Sequence, residues 1–198
     1  TKLPRAQFAL GIDLGVSSAC AIACLQFSQY SRRVEIVETW SEAEVLVDDL
    51  ALKLNYFQDK YDPIMIVADT GGMGAAFVQE LRKRYQMPIK AADKLNKAGY
   101  QRIFANDLLS SYIKIVKGLN ILSEYDMLVR DDEGDEVRGP ANHEADAALY
   151  IYRYIYSTYL KTFEPVESDE AKMERQLVDS ARQEEREAQE DRDDGFSF

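Results

Sequence analysis

Apolar residues follow two rhythms along this 198-residue chain, and the rhythm changes near residue 41. Residues 8–14, 19–27 and 33–39 are short runs rich in small and β-branched apolar side chains. Polar turns such as "SQYSRR" separate them, which predicts three strands in an antiparallel meander. Beyond them Leu46, Leu50, Leu54, Phe57 and Tyr61 recur at the spacing of one helix face. Ser41 is the expected N-cap of a helix of about five turns, with acids in its first turn and Pro63 at its end. "IMIVAD" follows as an unbroken apolar run, the pattern of a central strand buried on both faces.

The remaining pattern predicts helices with two short apolar stretches between them. "TGGMG" leads into a helix whose apolar face is Phe77, Val78, Leu81 and Tyr85, and "PIKAA" is a short strand. A helix over about 93–112 comes next, then the short apolar stretch "YIKIVKG" and a helix around 119–128. "VRDDEGDEVRGPAN" is a polar loop or small hairpin turning at Glu133 and Gly134. Asn142 then stands where it can cap a last core helix over about 143–162. The expected fold is α/β: a mixed five-stranded sheet, three antiparallel strands and then parallel ones, flanked by helices. No internal repeat is evident.

Composition narrows the class. With 46% hydrophobic residues the chain can bury a sizeable core as one domain. No apolar stretch approaches the roughly 20 residues that cross a bilayer and no basic-then-apolar leader opens the chain, so a soluble protein without a membrane partner is expected. Cys20 and Cys24 fall on one face of a strand, too far apart along it for a disulfide, and read as core residues in a reducing compartment.

Charge changes the picture more. Residues 164–194 hold 13 acids against 5 bases, a local −8 of the total −11, which leaves −3 for the rest. This tail, 164–198, is expected to be a solvated helix or disordered, outside the domain formed by 1–163. Within that body, residues 82–102 carry seven bases (Arg82, Lys83, Arg84, Lys90, Lys94, Lys97, Arg102) against Asp93 alone. Such a stretch is either a solvated helix face or a local positive field that holds phosphates.

Three acids stand where packing alone would not put them. Asp13 lies inside the first strand, Asp69 closes the central strand, and Asp146 sits one turn into the last core helix amid "ADAALYIY". Singly, each has another reading: a turn or bulge acid, a helix-capping acid before "GG", a helix-start acid favoured by the macrodipole. If strands one and four are neighbours and the last helix crosses them, the three carboxylates converge and need cations. Oxygen donors with no thiolate favour magnesium or manganese over zinc. Two such ions about 4 Å apart are equipped to hydrolyse phosphodiesters. His143 shares a helix face with Asp146 and suits metal binding or proton transfer. "DTGGMG" lacks the GxxxxGK[ST] pattern and reads as a tight turn beside the site. The tyrosines of "YIYRYIYSTY" sit at helical spacing and read as core rather than as a base-stacking platform.

In order, "FALGIDLGVSSACAIA", "IMIVADTGGMGAAFVQEL", "KAADKLNKAGYQRIFANDLLSSYIKI" and "NHEADAALYIYRY" resemble the nuclease domain of the large terminase subunits of tailed bacteriophages. The resemblance runs from about residue 6 to 160. It implies an RNase H-like fold and a metal-dependent endodeoxyribonuclease. Two Mg2+ or Mn2+ ions would be held by Asp13, Asp69 and Asp146, with His143 assisting proton movement. Many relatives have Asp before the matching histidine, whereas this chain has Asn142. Lys94 and Lys97 match the family's lysine-bearing stretch; with Arg102 they are the expected DNA contacts. The substrate implied is concatemeric double-stranded viral DNA, cut in the host cytoplasm at the procapsid, with portal and small terminase subunit as partners of the whole protein. The family's N-terminal packaging ATPase is missing from this chain, which also opens at Thr1 without methionine, so an excised nuclease domain is expected. Two other readings stay open: "GIDLGVSSA" also resembles the first phosphate loop of the actin and sugar-kinase ATPases, and the chain could be a non-catalytic docking module whose tail recruits portal or small terminase. A Holliday-junction resolvase is close in mechanism.

Overall fold

The computed structural model describes residues 3–15, 19–72, 74–127 and 142–163. The meander is present as β1 (Gln7–Leu14), β2 (Ala19–Ser28) and β3 (Ser31–Ala43), each antiparallel to the next. β3 runs past the expected end because Ala21, Cys20 and Ala19 offer ladder partners to Ser41, Glu42 and Ala43. Ser41 is therefore a strand residue and not a helix cap. α1 (Val47–Tyr61) starts about a turn later than its pattern predicts, with Leu46 at the N-cap, and its 15 residues make about four turns rather than five. Asp62, at φ 45°, ends it in the left-handed region just before Pro63.

β4 (Met65–Ala68) pairs in parallel with β1, from Ala9 opposite Met65 to Ile12 opposite Ala68. α2 (Gly74–Arg84) leads to β5 (Ile89–Ala91), parallel to β4. α3 (Lys97–Leu109) begins four residues later than the sequence suggests. The reason is local. The Asp93 carboxylate accepts from the Leu95 N–H, and Asn96, in the left-handed region, accepts from the Gly99 N–H, so the chain turns twice before the helix starts.

The "YIKIVKG" stretch supplies β6 (Ile113–Ile115), which pairs in parallel with β3 and makes a sheet of six strands where five were expected. α4 (Ile121–Met127) and α5 (His143–Ile155) follow, and α5 continues through a π-helical turn and a 3₁₀ turn to Phe163. Strand order is β5-β4-β1-β2-β3-β6. One face packs Leu10, Ile12, Ile22 and Ile66 against Leu50, Leu54 and Phe57 of α1 and Val78 and Leu81 of α2. The other packs Ala9, Ala21, Ala23 and Leu25 against Phe104 of α3, Ile121 of α4 and Ala147, Ala148 and Ile151 of α5. β1 and β2 are thus covered on both faces, which accounts for their unbroken apolar runs. Cys20 and Cys24 are buried free thiols, and burial pushes the Cys24 thiol up.

Among the described residues no helix is long and apolar enough to cross a membrane. The loop expected over 129–141 and the tail 164–198 lie outside the described residues.

Candidate active site

The site grows from the register of β1 and β4. Ile12 pairs with Ala68 and the Asp69 N–H donates to the Ile12 carbonyl at 3.1 Å, so Asp13 and Asp69 leave neighbouring parallel strands at the same level. α5 lies across these strands at the closest approach a backbone permits. A methyl group built on Gly11 would stand 2.0 Å from the Ala147 carbonyl oxygen and 2.8 Å from a methyl of Ile151. Glycine at position 11 lets the helix settle there, with Asp146 and His143 over the strand end.

The start of α5 is fixed from outside the helix. The Asn142 side chain makes no capping bond, although its carbonyl accepts from the Asp146 N–H at 2.9 Å. Instead Glu124 of α4 accepts from the N–H groups of Glu144 at 3.2 Å and Ala145 at 2.8 Å. A carboxylate at a helix N-terminus satisfies orphan donors and complements the helix dipole. Burial nevertheless pushes the Glu124 carboxyl above its usual value, with the nearby Glu144 charge adding to the rise and the two backbone donors opposing it. Glu144 is itself held by the Ser41 hydroxyl at 2.7 Å, the task Ser41 performs in place of capping α1.

Each of the three expected acids meets a basic side chain. His143 Nδ1 stands 2.9 Å from Asp13 Oδ2, Lys94 Nζ stands 2.6 Å from Asp69 Oδ2, and Lys97 Nζ stands 2.9 Å from both oxygens of Asp146. The Gly71 N–H donates to Asp69 Oδ1 at 2.6 Å, so the "TGG" turn braces this carboxylate. Burial pushes the Asp13 carboxyl up, the His143 bond opposes this, and the charges of Asp146 and Asp69 raise it further. Asp13 therefore feels both of the other acids. For Asp69 burial also acts upward, but Lys94, the Gly71 N–H and the Tyr150 hydroxyl more than offset it and hold the carboxyl below its usual value.

Among the described residues no three acid, histidine or cysteine side chains are gathered tightly enough to ligate one ion. The carboxylates lean instead toward three separate partners, one imidazole and two lysines. The ligand set still suits a hard divalent ion: carboxylate oxygens from β1, the end of β4 and α5, and one imidazole, with the two partly exposed lysines occupying the carboxylates in its place.

Lys94 and Lys97, expected on DNA, are placed on carboxylates of the site, whereas Arg102 is exposed on α3. Tyr150 was absent from the expected site. Its hydroxyl lies 3.4 Å from Asp69 Oδ2, and its place one helical turn after Asp146 is the signal that could have found it. Its neighbours Tyr152 and Tyr156 are buried, as the helical spacing implied.

No protein-family model and no curated protein matches the sequence. Solved structures do. The nuclease domain of the SPP1 large terminase, solved with bound Mn, is 18% identical; the match covers 75% of this chain and 86% of that one, with a TM-score of 0.58. The nuclease of phage G20c large terminase, solved with bound zinc, is 16% identical over 79% of this chain and 84% of that one, with a TM-score of 0.54. A whole large terminase from a thermophilic bacteriophage is 17% identical over 78% of this chain, with a TM-score of 0.64. The chain spans about two fifths of the length of that terminase. The described sheet and its flanking helices therefore have the RNase H-like fold of the nuclease domains of phage large terminases.

Proposed function

We propose that this chain is the nuclease domain of a phage large terminase and cuts concatemeric double-stranded DNA, with little sequence preference, at the start and end of genome packaging. The observation that carries this reading is the meeting of Asp13, Asp69 and Asp146 at the ends of two adjacent parallel strands and the first turn of the helix crossing them. Asp13, central in the sheet, with Asp69 and Asp146 beside it, would hold the two Mg2+ or Mn2+ ions of this reading. Divalent ions held there would neutralise the charge that builds on the phosphate in the transition state and render water acidic enough to attack.

The protein's own groups do the rest. His143, turned by its Nδ1 contact to Asp13, has Nε2 as the atom that takes up or releases a proton beside the strand end. The Gly71 N–H and the Tyr150 hydroxyl hold Asp69 in one orientation. Lys94 and Lys97 stand beside these carboxylates, and with the acids holding ions they would be the basic side chains that meet the phosphates of the duplex. Portal and small terminase subunit are the partners of the longer protein in this reading, and the procapsid in the host cytoplasm is where it acts.

Plasmid nicking tests it. Wild-type protein with manganese should relax supercoiled DNA, and EDTA should abolish this. Asp13→Asn and Asp146→Asn should each lower the rate by at least about a hundredfold, roughly 2.7 kcal/mol of lost transition-state stabilisation. Nicking at the wild-type rate by either variant would refute the assignment.

A further inference from the structure

Beside the carboxylates, on the far side of Tyr150, lies a cavity of about 90 Å³. Asp93, Tyr100, Tyr150, Arg153, Tyr154 and Ser157 line it. Arg153 is only 3% exposed, yet it is poorly matched for so buried a cation. Its Nη2 donates to the Leu95 carbonyl, and its guanidinium lies 4.5 Å from the centre of the Tyr100 ring. The carboxylate with which it pairs among the described residues, Asp93 Oδ1, stands 3.7 Å from Nη2, beyond hydrogen-bond distance, on a side chain that is 67% exposed. Among the described residues Nε and Nη1 have no hydrogen-bond partner. Buried donors without acceptors are costly, so Nε and Nη1 are open to an acceptor that enters the cavity.

The lining indicates which acceptor. Tyr100 and Tyr154 bring two more hydroxyl-bearing side chains to the lining, the Ser157 hydroxyl already donates to the Tyr154 carbonyl, and Lys90 Nζ stands 5.4 Å from the ring of Tyr154. The buried Arg153 guanidinium, with two donors open, outweighs the exposed Asp93 carboxylate, so the cavity favours an anion. Its volume admits one tetrahedral oxyanion, and a planar guanidinium matches phosphate oxygens in geometry and charge. We propose that the cavity binds one phosphate group through Arg153 and, resting on the nuclease reading, that this group belongs to the backbone of the DNA strand bound at the carboxylates. Tyr150 lines the cavity while its hydroxyl reaches Asp69, so a single ring separates the phosphate from the candidate metal ligands. Arg153 would then fix the strand's position relative to the bond to be cut.

Phosphorus NMR of inorganic phosphate, titrated with the full chain in EDTA, tests the cavity without metal or DNA. Wild-type protein should broaden the signal saturably, and Arg153→Met should lose the effect. Because that variant removes a buried side chain and its tie to Leu95, Ser157→Glu serves as the second. It sets a carboxylate into the cavity from an exposed position, and it should weaken phosphate at least tenfold with thermal stability unchanged. Absence of saturable broadening by wild-type protein, or equal broadening by folded Ser157→Glu, overturns the site.

The second half is read from DNA binding in EDTA. Removing one phosphate contact should reduce the slope of log affinity against log salt by about one in Ser157→Glu. An unchanged slope with phosphate binding lost would show that the cavity does not serve DNA. Wild-type protein that binds phosphate but no DNA would refute the nuclease reading and leave the cavity standing.

Discussion

The chemistry of the site depends on how each acid is neutralised. Asp146 meets Lys97 with both oxygens at 2.9 Å, and neither side chain is fully buried. A half-exposed pair of this kind contributes about 1 kcal/mol at most. A divalent ion taking Asp146 must displace that ammonium, so Lys97→Met should tighten Mn2+ binding by up to about fivefold, the equivalent of that energy. Calorimetric titration with Mn2+ measures this directly; weaker binding would mean that Lys97 helps hold Asp146 for the ion. Gly11 is the opposite kind of residue, since it acts by what it lacks. The methyl group of Gly11→Ala would meet the Ala147 carbonyl oxygen at 2.0 Å, and backbone cannot rotate aside as a side-chain tip can. The variant should lose about 3 kcal/mol in urea unfolding, the upper end of overpacking costs, because α5 must lift from β1. A loss below about 0.5 kcal/mol would mean that the helix yields without penalty.

Among elements, α5 decides whether there is a site, and α4 decides where α5 begins. Glu124 replaces the side-chain cap that Asn142 does not make. Glu124→Ala should therefore cost about 1–2 kcal/mol, as loss of an N-cap does, and Glu124→Gln less, since an amide oxygen still accepts. The pH dependence separates the two states of Glu124. Its carboxyl is raised above the usual 4.5 in the folded protein, so the folded state holds the proton more tightly than the unfolded chain. Wild-type protein should gain stability over Glu124→Gln as pH falls from neutral through that raised value, with the gain complete below 4.5 and lost as pH rises again. Thermal unfolding of both proteins between about pH 4 and 7 reads the difference, and parallel curves would count against this account.

The same elements mark what the sequence could convey. Short apolar runs between polar turns located every strand of the meander, and the 3.6-residue period located the core of every described helix, because burial against the sheet imposes those patterns. The ends were set by pairing and side-chain bonds that no period encodes. Ser41 is drawn into β3 by its partner Ala21, and Asp93 and Asn96 delay α3 by bonding to the backbone. That delay frees residues 93–96 as the loop bringing Lys94 to Asp69, which a helix from residue 93 would not do. The three acids were legible because an isolated carboxylate in an apolar run needs a partner. Tyr150 and Glu124 were not, since a tyrosine at helical spacing resembles core and an acid on a short helix resembles surface.

At the scale of the whole molecule, charge sets the terms on which a polyanion approaches. The chain carries −11, of which residues 164–194 account for −8, while the part bearing the site is nearly balanced. Seven bases between positions 82 and 102 share that part, but Lys94, Lys97 and Arg84 are engaged by Asp69, Asp146 and Asp48, and Arg82 by the Ile89 carbonyl. The field a duplex meets at a distance is therefore governed by the total charge more than by a standing basic patch. Removing residues 164–198 changes the total from −11 to −3 and takes away none of the residues named at the site. If the duplex is the partner, the chain ending at residue 163 should associate with it faster than the full chain at about 20 mM salt. The two rates should converge as screening shortens to about 8 Å near 0.15 M. Stopped-flow binding in EDTA across that range separates this from a specific role of the tail: a difference that persists at high salt is not long-range repulsion, and no difference at low salt would mean that the tail's charge does not reach the approaching DNA.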